Sequence, residues 1–331
     1  MPGAPGIPGA PSVPGVPGVP GGGAGDGTGA RAGAQAGSGE DEARLRAVRS
    51  LWSELPGGVD MGTFVHRVLE SADFAAPDIE GELARAIGAS RSRYAAVASP
   101  DAVVAALAAS ITTPLGPGAG GITLRQLARA DRLDEMGFEL PLAGGDQATT
   151  SRAVATADVA RLVELHEASA SGGPLVGYGA RLRDPMLGTD LRGYLTGSLD
   201  LVFRTSTGAG DKDAGGTQCY FVVDYKTNWI GAPGEELSAW HYRPAALDAE
   251  MQRMHYPLQA IIYMVALHRY LRWRLRGYDP DVHLGGALYL FLRGMSGPET
   301  PVVDGVPCGV FSWRPPTGLV TGLSDLFEAG A

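Results

Sequence analysis

The spacing of apolar positions divides this chain into three stretches. From Met1 to about Gly39 there is no apolar period at all, only Pro, Gly and Ala with a loose Pro-Gly-x repeat such as Val13-Pro14-Gly15-Val16-Pro17-Gly18. A segment with so little to bury is predicted to be a disordered linker or tail. A collagen reading needs Gly at every third place over a long run, and Ser12 and the later Gly-Ala stretch break it. Helical spacing begins near Glu40, where Asp41-Glu42-Ala43-Arg44-Leu45 sets acids before Arg, as the helix dipole favours. Met61 to Glu70 repeats the pattern with His66 on one face, and alanine-rich helices are expected from Ile79 to about Ser110. A Gly/Pro loop over 114–121, a helix from Leu124 to about Ala130, a strand from Met136 to Leu142 and a helix from Ala157 to Ala168 complete an α-rich N-terminal part.

After Gly193 the period shortens to two. Tyr194 to Phe203 and Cys219 to Lys226 both read as strands, and the polar run Thr205 to Gln218 between them reads as a loop, so the simplest pairing is a hairpin. That pairing sets Asp200 beside Asp224. Alternation along the second strand points Asp224 and Lys226 to one face. The predicted fold is α/β, a central mixed sheet flanked by helices, occupying residues 40–331 after the tail of residues 1–39.

Composition narrows the function. A hydrophobic content of 44% fits a globular protein, and no apolar run approaches the roughly 18 residues of a membrane span, so no membrane role is expected. Cys219 and Cys308, the two cysteines, have no metal-type spacing and exclude a four-thiolate iron–sulfur cluster. Reduced thiols and the lack of a basic-then-apolar leader make a cytoplasmic setting the expectation. A net charge of −9 argues against coating nucleic acid by bulk electrostatics while leaving room for a local basic channel.

The basic residues are 25 Arg and two Lys, and one of those two is Lys226. An ammonium is a compact point charge suited to one reacting oxygen, where guanidinium is a planar fork. Asp200 and Asp224 sit among apolar neighbours, where an unpaired carboxylate is costly, and one lysine cannot neutralise both. Two acids and a lysine on adjacent strands suit Mg²⁺ and phosphodiester hydrolysis. By spacing alone, a structural Asp–Lys pair with Asp200 at a strand end reads equally well.

The ordered set Gly197-Ser198-Leu199-Asp200, Asp224-Tyr225-Lys226 and Gln259-Ala260-Ile261-Ile262-Tyr263, with His66 far upstream, resembles the PD-(D/E)xK nucleases of the RecB type. Leu55-Pro56-Gly57-Gly58, Gly62-Thr63-Phe64-Val65-His66, Lys226-Thr227-Asn228-Trp229-Ile230-Gly231, Tyr256-Pro257-Leu258-Gln259, Ala266 to Leu271 and Gly285 to Gly294 extend the resemblance over roughly Leu51 to Phe327, to the C-terminal nuclease domain of the RecB (beta) subunit of exodeoxyribonuclease V. The resemblance implies a restriction-endonuclease-like core and an exodeoxyribonuclease. It implies a metal held by His66, Asp200, Asp224 and the Tyr225 carbonyl, with Asp200, Asp224 and Lys226 catalytic. Gln259 and Tyr263, one helical turn apart, would support the site or hold DNA. A neutral imidazole makes Mn²⁺ as acceptable as Mg²⁺. The partners implied are DNA, single-stranded and at duplex ends, RecC-like and RecD-like subunits and a helicase motor.

Other features stand outside that set. His166, His241, His255, His268 and His283 read as structural or surface residues. Arg269, Arg272 and Arg276, with Trp273 and Arg274 between, form either a phosphate-tracking stripe, a solvated face or a partner-facing one. The family often places Glu directly before the Phe of the strand near Met136. Here Gly137 precedes Phe138, and Glu135 and Glu139 flank the position. No Gly-x-x-x-x-Gly-Lys-[Ser/Thr] loop occurs, so no ATP site of that type is expected. The chain reads as a free-standing nuclease domain, a split gene product or a fragment of a longer RecB. The alternatives to an active nuclease are a silent DNA- or partner-binding module and a fragment inactive alone.

Overall fold

A computed structural model describes residues 39–90, 99–142, 153–167, 173–185, 190–191, 193–207 and 217–329. The expected tail over residues 1–39 lies almost wholly outside the described residues. In chain order come α1 (Gly39–Arg46), α2 (Val59–Ser71), α3 (Ile79–Ala89), α4 (Pro100–Thr112), β1 (Arg132–Pro141), β2 (Val154–Ala155), α5 (Thr156–Glu167), α6 (Tyr178–Leu182) and β3 (Asp190–Leu191). They are followed by β4 (Tyr194–Thr207), β5 (Thr217–Lys226), α7 (Pro244–Arg253), α8 (Tyr256–Arg274), α9 (Pro280–His283), β6 (Leu284–Phe291), β7 (Val302–Val303), β8 (Val306–Pro307), β9 (Val310–Trp313) and α10 (Thr317–Ala329).

The central sheet has the order β1-β4-β5-β6-β9. Its pairs are antiparallel except β5 with β6, which run parallel because α7 and α8 carry the chain back between them. The sheet is therefore mixed, as the period-two reading and the intervening helical segments require. Alternation sorts its side chains onto two cores. Leu201, Phe203, Val223, Tyr225, Leu288 and Leu290 pack under α2, α3 and α4. Val202, Val222, Ala287, Tyr289 and Phe291 pack under α5, α8 and α10. Burying both faces fits the dense apolar run Tyr220-Phe221-Val222-Val223 of β5. No helix among the described residues is long and apolar enough to cross a membrane.

Two local expectations need correction. The helix expected over 124–130 is replaced by two 3₁₀ turns, Leu124–Gln126 and Arg129–Asp131. A seven-residue helix gains little from propagation after its costly nucleus. Here the Arg125 guanidinium is drawn onto the carbonyls of Phe74 and Ala76, and that of Arg129 onto Ser71. The strand expected to begin at Met136 begins at Arg132, because Arg132 to Asp134 pair with Phe203 to Leu201 despite their polarity.

Candidate active site

The β4–β5 hairpin registers Leu201 opposite Val223, and the ladder stops there although both strands run on. One step further Asp200 faces Asp224. In place of a backbone carbonyl, Asp200 Oδ2 accepts the Tyr225 N–H at 2.8 Å. Asp200 thus satisfies a donor the ladder has released.

The parity of β5 points Tyr225 toward α2 and leaves Asp224 and Lys226 on the α8 face. Lys226 Nζ lies 2.5 Å from Asp224 Oδ2, with the two side chains 14% and 4% exposed. It also donates to Gln259 Oε1 at 3.3 Å and sits 4.2 Å from the Tyr256 ring centroid and 5.4 Å from that of Tyr289. Helical spacing places Tyr256, Gln259 and Tyr263 on one side of α8. Gln259 is oriented from both ends: its Nε2 donates to Tyr263 Oη at 2.8 Å, and its Oε1 accepts from Tyr289 Oη at 3.1 Å. Tyr289 reaches it from β6, the parallel neighbour, where it is paired with Asp224. Two aromatic faces and an amide therefore enclose the ammonium, and cation–π attraction is strongest in such a desolvated place.

His66 comes from α2, whose apolar stripe of Met61, Phe64, Val65 and Val68 is buried and leaves the imidazole at the stripe's edge. Its Nδ1 lies 3.2 Å from Asp200 Oδ1 and its Nε2 2.9 Å from the Tyr225 carbonyl oxygen. Both neighbours are acceptors, and only a doubly protonated ring can donate to both. Burial opposes that charge. The hydrogen bond to Asp200, with the nearby charges of Asp200 and Asp224, outweighs burial and raises the imidazole above its ordinary value.

The reverse balance holds at Asp224. Burial pushes its carboxyl up to about 6, Lys226 opposes the shift and Asp200 adds to it. For Lys226 burial would lower the ammonium, yet attraction to Asp224 raises it instead. We take the pair as ionised at neutral pH, because the ammonium has the wider margin, with the carboxylate as the weaker partner. Asp224 Oδ2 is close to Lys226 but lacks a hydrogen-bond partner of acceptable angle, a buried oxygen with unused capacity.

Glu135 completes the site from an unexpected direction. Asp134 pairs with Leu201 and Met136 with Leu199, so Glu135 stands opposite Asp200 at the one missing rung. Its backbone there has φ 49, a left-handed conformation that costs a non-glycine residue about 1 kcal/mol. One ligand atom each from His66, Glu135 and Asp200 lie within 4.8 Å of one another, and Ser198 Oγ steadies Glu135 Oε2 at 2.8 Å. Glu135, Asp200, Asp224 and Tyr289 thus occupy one row across four strands. Glu139 is exposed on β1, outside the cluster. This donor set of one imidazole and hard carboxylates, with a buried carboxylate oxygen left over, fits a Mg²⁺ or Mn²⁺ ion.

Every residue expected at the site on family grounds is brought together: His66, Asp200, Asp224, Tyr225, Lys226, Gln259 and Tyr263. Sequence reasoning missed the roles of Tyr256 and Tyr289 around Lys226 and left Glu135 undecided. The arginine stripe does not converge on the site. Arg269 donates to Ser324 Oγ and to its carbonyl oxygen, Arg272 pairs with Glu328, and both partners lie on α10.

No family model matches the chain. The RecBCD enzyme subunit RecB of Mycolicibacterium smegmatis is 47% identical over 285 residues, covering 86% of this chain and 25% of that protein. The subunit of the same name from Mycobacterium tuberculosis is 46% identical over 285 residues, with 83% and 24% covered. That from Escherichia coli is 31% identical over 277 residues, with 83% and 19% covered. The chain spans a quarter or less of the length of these curated relatives. It belongs, over that span, to the RecB family.

Proposed function

We propose that this chain is a divalent-metal-dependent DNA nuclease domain that hydrolyses phosphodiester bonds. The observation that carries the reading is the convergence of His66, Glu135 and Asp200 beside a buried Asp224–Lys226 pair. His66, Asp200, Asp224 and the Tyr225 carbonyl would hold the ion, with Glu135 joining them. Bound there, Mg²⁺ or Mn²⁺ supplies a water of lowered pKa and offsets charge on phosphate oxygens.

The chain's own groups do the rest. Asp200 keeps its charge oriented through the Tyr225 N–H. Asp224 and Gln259 aim the Lys226 ammonium, and the rings of Tyr256 and Tyr289 keep water from its flanks. A lysine so fixed donates to a reacting oxygen without reorganising as charge develops, which is where preorganised donors lower a barrier. To hold the ion, His66 would have to give up one proton, since a ligating imidazole must be neutral.

The relatives are named as subunits of a RecBCD enzyme. We place this chain as the nuclease module of such an assembly in double-strand break repair and recombination, acting with RecC-like and RecD-like partners and a helicase motor on DNA ends. The test is cleavage of end-labelled single-stranded and double-stranded DNA by the purified chain with Mg²⁺ or Mn²⁺, beside Lys226→Ala, Asp200→Ala and EDTA controls. Metal-dependent cutting lost in both variants is expected. Undiminished cutting by Asp200→Ala would overturn the site, and a folded chain that binds DNA without cutting it would favour the silent-module alternative.

A further inference from the structure

Three stretches of the family resemblance have no part in the chemistry above: Leu55-Pro56-Gly57-Gly58, the Thr227-Asn228 pair after Lys226, and Leu292-Arg293-Gly294. They meet at one side chain. Arg293 is fully buried, yet no carboxylate among the described residues neutralises it. Its Nε donates to the Thr227 carbonyl at 2.9 Å, its Nη1 to those of Trp52 and Leu55 at 2.7 and 3.2 Å, and its Nη2 to that of Pro56 at 2.6 Å. The guanidinium lies 5.3 Å from the Trp229 ring centroid and 6.0 Å from that of Trp52. Its own carbonyl accepts from Ser50 Oγ at 2.5 Å.

The turn that delivers it is fixed as tightly. Phe291 N donates to the Gly309 carbonyl at 2.8 Å, and a Cβ on Gly294 would lie 2.2 Å from that of Tyr242. Larger residues are thereby excluded beside Arg293.

The acceptors define what this cation joins. Trp52, Leu55 and Pro56 form the approach to α2, which carries His66. Thr227 follows Lys226 and stands two residues from Tyr225, whose carbonyl faces His66 Nε2. Gly62 on α2 passes so close to this strand end that a Cβ there would lie 3.3 Å from Thr227 Oγ1. The contact of His66 with Tyr225 thus spans the two segments that Arg293 bolts together. A planar five-donor fork can satisfy four carbonyls from two segments at once, which a lysine cannot.

We infer that Arg293 is a positioning residue that sets the distance between His66 and the Asp200–Tyr225 acceptors, and so the affinity of the site for a divalent ion. The inference rests on the metal-dependent reading above. Groups behind metal ligands commonly change affinity by about 10- to 100-fold when replaced.

The test is Mn²⁺ binding to the full chain, followed by titration calorimetry and by the loss of the free-ion electron paramagnetic resonance signal, with no DNA present. Arg293→Lys is expected to keep the far-ultraviolet circular dichroism of the wild type and to bind Mn²⁺ about tenfold more weakly. Cleavage by this variant is expected to recover at saturating Mn²⁺. Leu107→Ala, a cavity in α4, which carries none of the site residues, supplies a thermally destabilised control whose Mn²⁺ affinity should not change. Ser50→Ala loosens the turn without touching the guanidinium and should weaken binding about threefold. Wild-type affinity in Arg293→Lys overturns the inference, as does an equal loss in Leu107→Ala. Should Arg293→Lys not fold, wild-type affinity in Ser50→Ala overturns it. A wild-type chain that binds no Mn²⁺ sinks the metal reading itself, a different outcome from a wild type that binds while both variants match it.

Discussion

Replacing Lys226 with Met removes the ammonium but keeps the length of the side chain, and it leaves Asp224 as a carboxylate whose side chain is 4% exposed. Breaking a buried pair from one side costs about 3–5 kcal/mol when the surviving charge has no escape. Asp224 has one, because it can take up a proton. With an unfolded value near 3.9, protonating it at pH 7 costs about 4 kcal/mol, and this caps the electrostatic part of the loss. The cap is set by pH. In the variant the folded state binds a proton that the unfolded state releases, so the bound-proton difference makes stability fall as pH rises. The penalty should shrink by about 1.4 kcal/mol for each unit of acidification between pH 8 and about 5.

In the wild type the same carboxyl, raised to about 6, is ionised in both states above pH 7, and its contribution is flat there. The difference in stability, Lys226→Met minus wild type, cancels every group that neither Asp224 nor Lys226 perturbs. The assay is urea unfolding in EDTA at intervals from pH 7 to 8. Asp224→Asn/Lys226→Met should abolish the slope and recover much of the stability. A pH-independent difference between Lys226→Met and wild type, or a double variant no more stable than the single one, would refute the account of Asp224 as a desolvated carboxylate held by its lysine.

Other perturbations probe separate features. Glu135→Gly removes a carboxylate from the cluster and relieves a left-handed φ of 49, so we expect a gain of about 1 kcal/mol in unfolding free energy together with cleavage reduced at least tenfold. Loss of both stability and activity would mean that the conformation is not strained. Arg272→Ala breaks an exposed pair with Glu328 and should change stability by less than about 1 kcal/mol and leave DNA affinity, measured by fluorescence anisotropy, unaltered. A large drop in DNA affinity would restore the arginine stripe as a nucleic-acid contact.

How much of the site could be read in advance depended on sequence distance. Asp224 and Lys226 are two residues apart, and the period of a strand alone places them on one face. Asp200 required one further step, the pairing of consecutive strands. His66 lies far upstream on an apolar helix, and no local rule distinguishes it from a core histidine, so only the family resemblance singled it out. Glu135 could be noted only as one of two acids flanking the expected position, with nothing to choose it over Glu139. Its place in the cluster depends on a left-handed turn of the backbone, and a glutamate carries no signal for that as Gly or Asn would. Tyr289 escaped because it faces Lys226 only once β6 has returned parallel to β5 across three intervening helices. The role of the arginines of α8 stayed open for the same reason, since their partners Ser324 and Glu328 are more than fifty residues away and visible only once α10 has docked.

The open end of the β4–β5 hairpin carries one more consequence. Its two strands are covalently joined only beyond Thr207 and Thr217, at the end away from Lys226, so the hairpin's own connection does not close the gap where Asp200 faces Asp224. On the proposed reading, a polymer can be laid sideways onto such a gap at any point along its length, without being threaded from a terminus. On that reading the hairpin by itself sets no requirement for a free end. Any counting of nucleotides from a free end would have to be imposed by the surfaces that feed the strand to it, making the length of the fragments a property of the delivery route and not of the blade.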